Sequence, residues 1–171
     1  MPSKKIVREN YNEYIKNRDA RLNQDELKWI YDIVDGNTEQ ETIILKTDDF
    51  VVTPSYVWDG KDIFKLHILS IVCDKSITCI RDLNKSHVPL LKSMRDMTLK
   101  KIKEVYRLDK CYIKMFIHYS PSTYLLHVHF VNIYNTQCNS SCEYSHELNS
   151  VIFNLKMNTR YYKLIELNTR T

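Results

Sequence analysis

Three observations predict an α+β fold with a mostly antiparallel sheet of roughly five strands, one long helix and shorter flanking helices. Short runs rich in β-branched residues stand both before and after one long amphipathic stretch. Two pairs of these runs are joined by polar turns, Lys46-Thr47-Asp48-Asp49 and Ser120-Pro121-Ser122, which suits antiparallel neighbours. A further helical stretch follows the last pair.

Residues 9–28 are polar and helix-tolerant and are expected to form a lead-in helix or extended arm. Leu27, Ile30 and Val34 share one face of a helix over Asp25 to Val34, and Asp35-Gly36-Asn37 ends it. Thr42 to Leu45 and Phe50 to Thr53 form a hairpin, and Phe64 to Val72 reads as a further strand. Asn84 is a fitting N-cap for a long helix to Tyr106, with Leu91, Met94, Thr98, Ile102 and Val105 on its inner face. Tyr112 to Tyr119 and Tyr124 to Tyr134 read as two strands around the Ser-Pro-Ser bend. Ser145 to Leu155 reads as a last helix, and Tyr161 to Leu167 as an edge strand.

Composition bounds the function. The 171 residues fit one domain, and a hydrophobic share of 43% beside a charged share of 27% is ordinary for a globular protein. No apolar run approaches the ~20 residues of a membrane span, and no signal peptide is recognisable, so a cytoplasmic protein is expected, with a nuclear location also open. Without a secretory signal the five cysteines read as reduced thiols, and Cys73, Cys79 and Cys111 as small buried residues. The net charge of +4 suits a small anionic ligand but is too weak and dispersed for a long nucleic acid. Only two glycines occur, Gly36 and Gly60, which excludes a Walker loop or a Rossmann fingerprint. If this protein handles phosphates, it must use side chains or helix ends.

Leu126-His127-Val128-His129-Phe130-Val131 carries the chemistry. On a strand, His127 and His129 share one face, and Leu126, Val128 and Phe130 share the other. His118 on the neighbouring strand can join them across the short bend. Imidazole serves as metal ligand, general base or nucleophile toward phosphorus, and the residues alone leave these open. Cys138, Cys142 and His146 have a C-x3-C-x3-H spacing, but a fourth zinc ligand is not evident.

The block from His118 to Phe130, HYSPSTYLLHVHF, resembles the signature of the scavenger mRNA-decapping branch of the histidine-triad family. Val7-Arg8-Glu9, Trp29-Ile30-Tyr31, Phe50-Val51 with Pro54 and Trp58, Arg81-Asp82-Leu83, Pro89-Leu90-Leu91 and Arg160-Tyr161-Tyr162 match that branch in order. The resemblance implies a histidine-triad fold: a catalytic domain over residues 25–171, residues 1–24 as a connector, and the family's N-terminal domain absent. It implies hydrolysis of the 5′–5′ triphosphate of capped short RNA or cap dinucleotides, with no cofactor and no metal. His127 would be the nucleophile, forming a nucleotidyl-histidine, with His129, His118 and Ser122 holding phosphate oxygens. Trp29 would stack on the methylated base, Glu39 would accept hydrogen bonds from its edge, and Pro54 would pack on its other side. A homodimer is implied as well.

The chain departs from the family pattern at several site positions. Leu125 stands where the family has its first triad histidine, Thr123 replaces a tyrosine and Tyr144 a basic residue. Ser55-Tyr56-Val57 occupy positions where the family carries an acid and a lysine. A charge-assisted contact is worth about 1.5–3 kcal/mol, so losing both costs about two orders of magnitude in affinity. Lys61, Lys65 or Arg8 are candidates to replace them. Two alternatives stay open: a degenerate cap- or nucleotide-binding protein, and a general histidine-triad hydrolase of dinucleoside polyphosphates or nucleoside phosphoramidates.

Overall fold

The computed structural model describes residues 5–22, 24–37, 42–138 and 140–170. The strands are β1 (Ile6–Glu9), β2 (Leu45–Lys46), β3 (Phe50–Pro54), β4 (His67–Val72), β5 (Ile113–His118), β6 (His127–Asn132), β7 (Ser145–Glu147) and β8 (Leu167–Arg170). The helices are α1 (Tyr11–Arg21), α2 (Gln24–Asp35), α3 (Val88–Tyr106), α4 (Leu148–Met157) and α5 (Tyr161–Leu164). Six strands form one sheet in the order β2-β3-β4-β6-β5-β7, and β1 pairs with β8 in a separate ribbon. Every pairing is antiparallel.

The central strands β4 and β6 are buried along their whole length. Their register sets Ile68 opposite Phe130 and Leu69 opposite His129, so the pleat sends hydrophobic and imidazole side chains to different faces. The hydrophobic face joins one cluster with Leu91, Met94 and Ile102 of α3 and Val151 and Leu155 of α4. In α2, Leu27, Ile30 and Val34 are buried as the sequence spacing predicts, and Gly36 ends the helix with φ 82°.

Several boundaries differ from the sequence expectation, each for a tertiary reason. Asn84 caps a short 3-10 turn, Lys85–His87, and the α-helix begins only at Val88, with Pro89 in the first turn where its missing N–H costs nothing. The inner stripe of α3 runs from Ile102 to Tyr106, whose ring meets Trp58 edge-on at 5.4 Å, and this leaves Val105 54% exposed. Ser145 to Glu147, expected as helix, pairs with β5 as an outer strand, and Glu147 then caps α4 by accepting from the N–H groups of Asn149 and Ser150. The expected edge strand at Tyr161 begins as the short helix α5, and the strand forms only at Leu167, where β1 supplies its partner. Cys111 is exposed in a 3-10 turn rather than buried. The N-terminal segment is packed onto the domain: Asn10 and Glu13 form a capping box for α1, and Tyr14 is fully buried in the core.

Arg81 binds these parts together. It is 0% exposed, yet its guanidinium is surrounded by acceptors. Nη1 donates to the carbonyls of Tyr162 at 2.7 Å and Ile165 at 2.8 Å, which are otherwise orphan carbonyls at the end of the α5 turn. Nη2 donates to the Glu9 carbonyl at 2.5 Å, and Nε to the Tyr119 hydroxyl at 3.3 Å. Tyr119 in turn donates to the Glu9 carboxylate, which Arg21 also holds. Burial pushes the Glu9 carboxyl up, but hydrogen bonds from Arg21 and Tyr119 and the charges of Arg21 and Arg81 prevail, so it titrates below its ordinary range.

Replacing Arg81 by methionine leaves three carbonyls and the Tyr119 hydroxyl short of a buried donor. We expect a loss of about 3–5 kcal/mol in urea unfolding. A loss under about 1 kcal/mol would contradict this account of the network.

Candidate active site

The imidazole face of the sheet gathers four histidines from three strands. β6 supplies His127 and His129, whose rings lie 4.9 Å apart and edge-on. β5 sets Phe116 directly opposite His129, which brings His118, two residues further along, to 4.3 Å from the His129 ring. β4 sets Leu69 opposite His129, and His67, two residues back, lies 5.2 Å from the same ring. Phe116 stacks on His129 at 5.1 Å and 11° and fixes the plane of the imidazole.

Three of the rings have placed hydrogen-bond partners. Nδ1 of His127 lies 2.7 Å from the carbonyl oxygen of Leu125. A carbonyl only accepts, so Nδ1 carries the proton and Nε2 keeps its lone pair. Leu125, which stands in place of the family's first triad histidine, is apolar at its side chain and offers His127 no partner there. The backbone carbonyl of the same residue supplies the support instead. Nδ1 of His129 lies 2.9 Å from Nε2 of His67. Nε2 of His129 and Nδ1 of His67 are buried without a hydrogen-bond partner.

Burial pushes the His127 imidazole below its ordinary value, against a smaller upward push from the bond to Leu125. His129 is pushed well below by burial and then by His127, His118 and His67. His67 is lowered to about 4, again by burial first and then by His118 and His127. These three rings are therefore neutral at pH 7, as a nucleophilic imidazole must be.

The histidines floor a cavity of about 610 Å³. Ser120, Ser122 and Thr123 of the bend form one wall, with Gln137 and Cys138 nearby, and Ser55, Tyr56 and Val57 form another. Trp29 stands at the rim, 37% exposed, with Tyr56 edge-on to it at 5.9 Å. Tyr56 is itself 84% exposed. Among the described residues that line the cavity there is no Asp, Glu, Lys or Arg.

Of the residues singled out in the sequence, His118, His127, His129, Ser122 and Trp29 thus meet around one cavity. Pro54 does not line it. It pairs with Ile68, on the face opposite the histidines, and the pleat gives the next position, Ser55, to the cavity instead. Glu39 lies outside the described residues. Lys61, Lys65 and Arg8 are not among the lining residues. Lys65 faces Asp62 at 3.8 Å, and Arg8 faces Glu166 at 4.0 Å beside a separate depression that Cys142 and His146 share. His67 was missed. Its alternation with Leu69 and Ile71 was legible, but that β4 would pair with β6 was not.

Comparisons with known proteins bear on the family and the fold. A family model described as "Scavenger mRNA decapping enzyme C-term binding" matches residues 28–143. The m7GpppX diphosphatase of Ascaris suum is 38% identical over 145 residues, covering 82% of this chain and 48% of the relative. Those of Caenorhabditis elegans and Homo sapiens are 34% and 31% identical, each over 80% of this chain and over 45% and 42% of their own lengths. The chain thus spans about half the length of the curated relatives it matches. Among solved structures, the aprataxin ortholog Hnt3 in complex with DNA aligns with a TM-score of 0.51 at 18% identity, over 73% of each chain. That likeness bears on the fold and supports the α+β, histidine-triad-like architecture. With two thirds of its length under the family model and its histidines on one strand-built floor, the chain belongs to the scavenger mRNA decapping enzyme C-terminal family.

Proposed function

We propose that this domain hydrolyses the 5′–5′ triphosphate of capped short RNA fragments or cap dinucleotides and releases 7-methylguanosine monophosphate. The observation that carries the reading is the bond from His127 Nδ1 to the Leu125 carbonyl, which leaves Nε2 as a buried, neutral nucleophile facing neighbouring imidazoles. Nε2 attacks the phosphorus next to the methylated nucleoside. A P–N bond forms, the P–O bond to the remaining nucleoside diphosphate breaks, and water then cleaves the P–N bond to restore the imidazole. His118, His129 and Ser122 steady the phosphoryl oxygens, since this chemistry depends on positioning and hydrogen-bond donation. Trp29 stacks on the cationic methylated base, with Tyr56 as its aromatic neighbour. A homodimer is part of this reading and rests on the resemblance.

One observation favours a second reading. A triphosphate carries several negative charges, whereas the described lining residues offer no fixed cation. A phosphorus centre with a single charge, such as a nucleoside phosphoramidate, suits that neutral cavity better, and so does nucleotide binding with little turnover.

Four measurements test these readings. His127→Asn is expected to lower turnover of a cap dinucleotide by about three orders of magnitude or more, and equal rates in both proteins would refute the nucleophile. If the wild type turns over a nucleoside phosphoramidate and leaves cap dinucleotides and dinucleoside polyphosphates intact, the second reading replaces the first. Trp29→Ala should weaken binding of a cap analogue about tenfold by fluorescence titration, and unchanged affinity removes the stacking role. In the pH profile, protonation of His127 silences it, and burial holds its pKa below the ordinary 6.5. The rate kcat/KM should therefore stay level from neutral pH down past 6.5 and fall only in more acidic solution. An acidic limb centred at or above 6.5 contradicts the assignment.

A further inference from the structure

His67 stands on the imidazole face of β4, and its Nε2 lies 2.9 Å from Nδ1 of His129. Both rings are buried. A hydrogen bond between two neutral imidazoles contains one proton, and the ring that owns it fixes the tautomer of both. If His129 owns it, Nε2 of His129 bears a lone pair, which repels a phosphoryl oxygen. If His67 owns it, His129 carries its own proton on Nε2, which becomes a donor. The orphan atoms agree with a pair completed by a ligand, because the His129 nitrogen without a partner is Nε2, and His129 lines the cavity. Neighbouring groups do not compete for Nδ1. Phe116 lies flat against the His129 ring and offers no partner in its plane, and His127 spends its own Nδ1 proton on the Leu125 carbonyl.

We propose that His67 is a positioning residue: its Nε2–H donates to Nδ1 of His129 and so holds His129 as an Nε2–H donor toward the phosphoryl oxygen. The proposal rests on the reading that a phosphoryl group reacts at His127. No proton is gained or lost in this arrangement, since each ring keeps one. A triad strand with Leu125 at its first position thus draws its additional imidazole from the neighbouring strand β4.

Two measurements test this independently. Long-range ¹⁵N–¹H spectra of the free wild-type protein report imidazole tautomers without any substrate, and they should show His129 protonated at Nε2 and bare at Nδ1. A proton on Nδ1 of His129 overturns the proposal. With a cap dinucleotide, His67→Leu should lower kcat about ten- to hundredfold while KM changes little. His67→Gln, whose side-chain amide can donate to the same nitrogen, should recover most of that loss. Equal impairment of the two variants, both folded by circular dichroism, would mean that His67 serves packing alone. Should the leucine variant fail to fold, the wild-type spectrum and the glutamine variant still decide. If the wild type hydrolyses no phosphorus substrate, the functional reading falls, while the tautomer of His129 still tests the hydrogen bond assigned to His67.

Discussion

A β-strand must turn successive side chains to opposite faces, and the whole domain depends on how β6 meets that constraint. Val128 and Phe130 complete the hydrophobic core on one side, and His127 and His129 floor the cavity on the other. The strand is flanked by β4 and β5, so the register with each neighbour decides which side chains join it. Leu69 and Phe116 fall opposite His129, and the diagonal positions bring in His67 and His118. A one-residue slip would exchange the two faces and place imidazoles in the core. The chemistry and the stability of the domain are thus two faces of one pairing pattern.

The second organising element is the buried Arg81. A charge without partners in the interior is very costly, so its value lies in the number of acceptors it satisfies at once. It joins the end of β1, the α5 turn and Tyr119, which directly follows His118. The residue beside a cavity histidine is thereby tied to Glu9 near the start of the chain. Ordering of the N-terminal segment and placement of His118 are linked through this short set of hydrogen bonds.

The cavity itself is neutral in character. Burial holds His67, His127 and His129 in their uncharged forms, and the described lining residues add no fixed charge. On the proposed reading such a surface would meet phosphorus through lone pairs and N–H or O–H donors, and low local polarity would strengthen each of those contacts. Trp29 and Tyr56 set aromatic groups at the rim of the cavity.

Much of this was legible in the sequence, because the signals were local. Alternation in Leu126 to Val131 fixed the two faces of β6, and the spacing of Leu27, Ile30 and Val34 fixed the inner side of α2. The block from His118 to Phe130 identified the family and most of the cavity floor. What escaped depended on pairing between distant segments. Ser145 to Glu147 became a strand because β5 was there to receive it, and Tyr161 to Leu164 turned helical where Arg81 could take up its carbonyls. Pro54 went to the far face because its register partner is Ile68. His67 joined the site, and Leu125 oriented His127 through its backbone rather than its side chain. Residue type and spacing by themselves determined that imidazoles gather on one face of a strand; only the tertiary structure decided that His127 spends Nδ1 on a carbonyl and keeps the lone pair on Nε2, because hydrogen-bond partners are set by strands and carbonyls that the spacing of histidines does not encode.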